Sequence, residues 1–152
     1  MKEDDRLKCL LEETKMVQRI ISRMSNNSFL IKGWSLTLVV ASLLVIGGFY
    51  NNDYYLVALI PLIVFWILDA YFVRLERLYG ALYDWLIENR PICDDCLLEM
   101  NRVRLEKRFG KNIPSLVETM FSRALLGFYV FLLVVIVIFI LRFILSLVRV
   151  VI

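Results

Sequence analysis

The chain has 152 residues, of which 60% are hydrophobic, with a formal net charge of +3 and no histidine. Its mean hydropathy is +0.70, well above a soluble domain that is about half apolar, so a membrane protein is the first reading and a very apolar buried helical core the alternative. The missing histidine excludes His-based acid–base or nucleophilic triads, most catalytic zinc sites and histidine proton relays, and no phosphate-cradling GxxxxGK[ST] or GxGxxG pattern occurs.

Residues 1–27 predict a cytoplasmic helix. Leu7, Leu10, Thr14, Val17, Ile21 and Met24 recur in steps of three and four, which places them on one stripe. That stripe packs on the protein itself or on a neighbouring subunit. Ser25, Asn26, Asn27 and Ser28 then read as a cap or hinge before the first apolar run. Gly33 offers room for a close helix approach, and Trp34 suits the headgroup level.

Three runs are apolar enough to be spans: 34–50, 54–73 and 124–141, the last extending up to 152. A crossing helix needs roughly 20 apolar residues. The first run begins too late in the chain for a cleavable signal, so it reads as an uncleaved anchor. Along it, Ser35 and Ser42 share one face and Thr37, Ala41 and Gly48 another. Small residues there serve helix packing or a weakly polar pore lining. Only Asn51-Asn52-Asp53 separates the first two spans, which predicts a tight antiparallel hairpin, and Pro61 predicts a kink near 57–61.

Bases crowd the segment before the first span and the 74–123 segment, while the 51–53 turn has none. Lysine and arginine stay on the cytoplasmic side. The N-terminus and residues 74–123 are therefore expected inside, and the C-terminus outside. Arg142 and Arg149 run against that last orientation.

Beyond the second span, Leu75, Leu78, Leu82 and Trp85 keep helical spacing, so the second helix should continue inward until Asn89-Arg90-Pro91 stops it. A further helix is expected over about 94–108, and Gly110 and Pro114 mark a break. Ser115 with Glu118 reads as a capping box starting the last helix. Cys93-Asp94-Asp95-Cys96 is a CxxC that reads as reduced structural thiols, an inter-subunit metal or disulfide pair, or a redox motif. The basic cluster Arg102, Arg104, Lys107, Arg108 and Lys111 has no interleaved aromatics to stack on bases. It reads as a solvated face or a lipid-headgroup contact, and direct nucleic-acid binding is not expected.

Asp69 is an acid inside a span, where charge is costly and usually has a partner or a purpose. Folding the hairpin about residue 52 sets Asp69 opposite residue 35, within a turn of Lys32. Lys32 is thus a candidate partner, with Arg74 and Arg77 as rivals. The pair either locks the hairpin or forms a charged ring at a pore mouth. The candidate charges are Lys32, Asp69, Arg74, Glu76 and Arg77, and the interface anchors are Asn27, Trp34 and Trp66.

The stretches "RMSNNSFLIKGWSLTLVVASLL" and "PLIVFWILDAYFVRLERLYGALYD" resemble the RipA-like octameric bacterial inner-membrane proteins, to which the accessory membrane protein of type VI-B CRISPR systems is related. The resemblance covers about residues 14–90. Asn27, Phe29, Lys32, Gly33 and Trp34 match one of its signatures, and Trp66, Asp69, Ala70, Tyr71, Arg74, Glu76 and Arg77 another. It implies a homo-oligomer of eight subunits with a helical cytoplasmic layer, and a role in antiphage defence in which the assembly permeabilises the membrane. Two features depart from it: a chain without histidine lacks the ribonuclease motif proposed for some CRISPR accessory proteins, and the third span has no counterpart.

The expectation is therefore an all-α integral membrane protein, non-enzymatic and without cofactor, spanning the bacterial inner membrane with a cytoplasmic N-terminus. It would act as a homo-oligomeric pore or membrane-perturbing effector in antiphage defence. The alternative is a non-conducting scaffold that recruits or restrains a cytosolic defence enzyme. A transporter ranks third, because paired intramembrane charges and matching broken helices are lacking.

Overall fold

A computed structural model describes residues 3–48, 57–89 and 101–151. They form helices α1 (Glu3–Gly48), α2 (Leu59–Asn89), α3 (Arg102–Phe109), α4 (Leu116–Met120) and α5 (Arg123–Val151), with a 3-10 turn at Gly110–Asn112. No strand occurs among the described residues, so the chain is all-α. The Asn51-Asn52-Asp53 turn and the Cys93–Cys96 motif lie outside the described residues.

Two compact units emerge. Unit 1 takes Met1–Ser28 and Tyr71–Thr119, and unit 2 takes Phe29–Ala70 and Met120–Ile152. Helices α1 and α2 each contribute to both.

α1 corrects the expected hinge, since one helix runs unbroken through Ser25-Asn26-Asn27-Ser28. Serine and asparagine in a helix cost at most about 0.7 kcal/mol each. Breaking the helix there would strand four N–H and four C=O groups, a larger penalty. Packing also holds it, because Met24, Ser28 and Ile31 are all buried. The expected stripe largely faces inward: Val17 and Met24 are buried and Leu10, Thr14 and Ile21 half-buried, while Leu7 stays 54% exposed and Glu13 is buried beside them.

α2 begins at Leu59, after a 3-10 step at Val57 and Ala58. Pro61 therefore sits in the first turn, where its missing N–H would have had no helical acceptor anyway. The expected kink is replaced by a helix start. α2 then runs on to Asn89 as expected, with Leu75, Leu78 and Leu82 buried, and Leu86 rather than Trp85 as the fourth buried residue.

In unit 1, Val17, Met24, Leu75, Leu78, Leu82, Leu86 and Leu105 form one core, flanked by Tyr71, Tyr83, Trp85 and Phe109. Gln18 Nε2 donates to Tyr83 Oη over 3.0 Å. α3 starts at Arg102, where Asn101 is extended (ψ 110°) and its side chain accepts from the Val103 N–H at 3.0 Å; residues 94–100 of the expected helix lie outside the described residues. The capping box forms as expected: Ser115 N–H donates to Glu118 Oε2 at 2.8 Å, and Glu118 N–H to Ser115 Oγ at 3.3 Å. It starts only the short α4, however. The chain leaves the helix at Phe121 and Ser122 before α5 begins.

In unit 2 the buried positions are Ile31, Ser35, Val39 and Leu43 on α1, Leu62, Asp69 and Ala70 on α2, and Leu125, Tyr129, Leu132 and Ile136 on α5. The three- and four-residue steps give each helix one inward stripe. Outside that stripe, most of the described exposed side chains of unit 2 are apolar, with Thr37, Arg123 and Arg142 among the exceptions. Phe29 (74% exposed), Trp34, Leu44, Ile60, Ile63, Val64, Phe131, Ile138 and Leu141 all face outward. The part of α1 from Leu10 to Val45 contains a stretch apolar enough to cross a membrane, as does α5 from Arg123 to Arg142. The second expected span, 54–73, begins outside the described residues, and the rest of it forms the first half of α2.

Candidate functional site

Asp69 is the centre of unit 2. Its side chain is 0% exposed and lies 2.7 Å from Lys32 Nζ, whose side chain keeps 27% exposure. The hairpin geometry thus brings the two together as expected. Isolated carboxylate in an apolar interior is prohibitively costly, and the ammonium offsets that cost through a short charge-assisted bond.

A third group was not expected. Tyr129 Oη, fully buried on α5, lies 3.2 Å from Asp69 Oδ2 and 3.1 Å from the Phe65 carbonyl. A phenol has one proton, and the anionic carboxylate is the stronger acceptor. Asp69 therefore accepts from Lys32 on α1 and from Tyr129 on α5, so one carboxylate ties all three helices of the unit.

Trp66 holds Tyr129 in place. The two rings stack at 5.6 Å with 15° between planes, and Phe121 meets the indole edge-on at 5.8 Å. The Trp66 Nε1–H donates to the Met120 carbonyl at 3.1 Å. That carbonyl sits where α4 stops and has lost its helical donor. Trp66, expected as an interface anchor, is instead half-buried and caps this break.

Neither rival cation reaches Asp69. Arg74 is five residues on, about 140° round the helix, and belongs to unit 1. Its Nη1 lies 2.6 Å from Glu106 Oε1, and its Nε donates to the Pro114 carbonyl at 3.3 Å. This bond holds the Glu106 carboxyl below the ordinary carboxylate range, through the hydrogen bond first and the Arg74 and Arg102 charges after it, against a smaller opposing effect of burial. Arg77 is exposed and Glu76 half-buried. Asn27 is half-buried on α1, and Trp34 is 61% exposed. At Gly33 a Cβ would meet nothing within 4 Å among the described residues.

All five residues of the basic cluster are exposed, and two of them also meet aromatic rings of unit 1. Arg102 Nη1 donates to Tyr71 Oη at 2.7 Å, and the Arg108 guanidinium lies 4.2 Å over the Trp85 ring. Of the hydroxyls along the first apolar run, Thr37 and Ser42 donate to carbonyls four residues back, at 2.9 and 2.7 Å. Ser35 Oγ is buried with no hydrogen-bond partner among the described residues.

Tyr129 is the residue that sequence reasoning missed. Its signal was weak: one polar-tipped ring, six residues into an apolar run. Glu106 was missed because α3 reads as alternating charges with no preferred partner. What the Lys32–Asp69–Tyr129 arrangement does chemically is hold charge and orient helices. No protein-family model matches the chain, and no curated protein or solved structure matches it either.

Proposed function

We propose that the chain is a multi-pass protein of the bacterial inner membrane, with unit 2 in the bilayer and unit 1 in the cytoplasm. Copies of it associate into a ring, eight by the RipA-like resemblance, and the assembly perturbs the membrane as an effector of antiphage defence. The role is non-enzymatic. One observation carries the membrane reading: unit 2 turns large apolar side chains outward on all its helices and buries Asp69 against Lys32. A protein in water exposes far smaller contiguous apolar patches. The exterior of unit 1 supports the same reading, because Lys8, Glu12, Lys15, Arg19, Arg77, Asp84 and Glu88 are exposed there.

The defence role rests on the resemblance and is tested in cells. A voltage-sensitive dye in cells expressing the chain with its operon neighbours should report depolarisation during phage challenge. No depolarisation in any combination overturns the effector reading.

A second reading, a membrane scaffold that holds a cytosolic defence enzyme, is favoured by the burial of Asp69. A carboxylate sealed and ion-paired within one chain offers no acidic ring to a lumen. One stoichiometric cytosolic partner in a pull-down, together with silent planar-bilayer recordings, would select the scaffold.

A further inference from the structure

The start of α5 is built unlike the starts of α3 and α4. α3 opens on the Asn101 cap and α4 on the Ser115–Glu118 box. Ser122 stands at the N-cap of α5, where a serine hydroxyl ordinarily accepts a backbone N–H of the first turn. Its Oγ is instead buried with no hydrogen-bond partner among the described residues. The first backbone bond of α5 runs from the Leu126 N–H to the Ser122 carbonyl at 2.9 Å, which leaves Arg123, Ala124 and Leu125 without helical acceptors for their N–H groups. The sequence does not impose the break, because residues 116–126 hold neither glycine nor proline.

We propose that Phe121–Ser122 is a two-state joint, latched open by Trp66 and able to close into one continuous helix running from Leu116 into α5. On closing, the N–H groups of Arg123, Ala124 and Leu125 reach the carbonyls of Thr119, Met120 and Phe121, four residues back. The Ser122 hydroxyl then donates to the Glu118 carbonyl, the bond that Thr37 and Ser42 already make on α1. Every group stranded at the break is thereby satisfied from within the segment. What holds the break open comes from α2. The Trp66 Nε1–H takes the Met120 carbonyl at 3.1 Å, the acceptor that Ala124 needs for a continuous helix. The same indole stacks on Tyr129 at 5.6 Å and receives Phe121 against its edge at 5.8 Å. Phe121 keeps 60% exposure, so the first residue of the bend is scarcely buried. The backbone bonds gained on closing stand against the freedom lost by ordering two residues and the loss of the indole contacts. These opposing effects are of similar size, which is the condition for a two-state element.

The test is amide hydrogen exchange at Arg123 and Ala124, read by NMR on the full-length protein in detergent micelles and corrected for intrinsic rates. Both side chains are exposed, so slowed exchange there reports a backbone bond rather than burial. Trp66→Phe keeps a ring to stack on Tyr129 and removes the N–H donor. One such bond shifts an equilibrium constant about five-fold, so from a near-even balance both amides should exchange about three-fold more slowly. Trp66→Phe/Ser122→Pro should return them to the parent rate, because proline cannot sit inside the continuous helix. Unchanged or faster exchange in Trp66→Phe overturns the proposal, and so does slowing that survives the proline. Should Trp66→Phe also lose protection at the Leu132 and Ile136 amides, it has not kept its fold, and Phe121→Ala decides instead. That variant removes the edge contact at an exposed position and raises helix propensity, so it should slow both amides to a similar degree. Unchanged exchange in it then overturns the proposal.

Discussion

The Lys32–Asp69 pair is asymmetric, and the asymmetry makes a prediction. Asp69 has no exposure, whereas Lys32 keeps 27% and a flexible stem. Lys32→Met leaves a buried carboxylate without its ammonium, and should cost about 3 kcal/mol. Asp69→Asn leaves an ammonium that can snorkel outward, and should cost distinctly less. Unfolding titrations in mixed micelles will read both, and equal costs would mean that the carboxylate is not the trapped partner. Ser35 makes the opposite kind of prediction. Its buried hydroxyl has no partner among the described residues, and an unsatisfied donor costs about 1 kcal/mol or more. Ser35→Ala should therefore leave stability unchanged or raise it by about 1 kcal/mol in the same titration. The pair was legible in the sequence because a hairpin fixes which depths face each other. Tyr129 was not, because its place opposite Asp69 depends on how α5 packs, and no local spacing encodes that.

At the scale of elements, α3 is eight residues long, too short to persist by its own hydrogen bonds, so side chains must hold it. Leu105 is buried in the unit 1 core, Arg108 lies over Trp85, and Glu106 meets Arg74. Because Arg74 lowers the Glu106 pKa below its ordinary value, the unfolded chain binds this proton more readily than the folded one. The stabilisation is fully present above the ordinary carboxylate range and is lost as pH falls through the lowered value. Amide hydrogen exchange over α3, corrected for intrinsic rates, should therefore quicken below about pH 4, and Glu106→Gln should flatten that dependence. Unchanged exchange in the acid range would show that the ion pair does not hold α3. The start of α4 was legible, because a capping box is a local code in four residues. The unbroken run of α1 through Ser25–Ser28 was not, since burial of Met24, Ser28 and Ile31 outweighs propensity. The break at Phe121–Ser122 was not legible either, because the Trp66 indole that takes up the Met120 carbonyl comes from 54 residues away.

For the whole molecule, the charge pattern and the two units lead to one topology. The apolar exterior of unit 2 was legible from composition, since it needs more apolar residues than a core alone can hide. Orientation rests on the lysine and arginine distribution. The proposed topology, read by that rule, puts both parts of unit 1 on the cytoplasmic side and the far end of α5 outside. Lys15, Lys107 and Arg142 are all exposed, so each can be replaced by cysteine in a background from which Cys9, Cys93 and Cys96 have been removed. A membrane-impermeant maleimide should leave Lys15→Cys and Lys107→Cys unlabelled in intact cells and label both after permeabilisation. Arg142→Cys should react in intact cells. Labelling of Lys15→Cys but not Lys107→Cys would mean that α1 and α2 do not form a hairpin, and the Lys32–Asp69 pair could not then form. Protection of Arg142→Cys alone would leave the hairpin standing and return the end of α5 to the cytoplasmic side, where Arg142 and Arg149 would obey the same charge rule as the other bases.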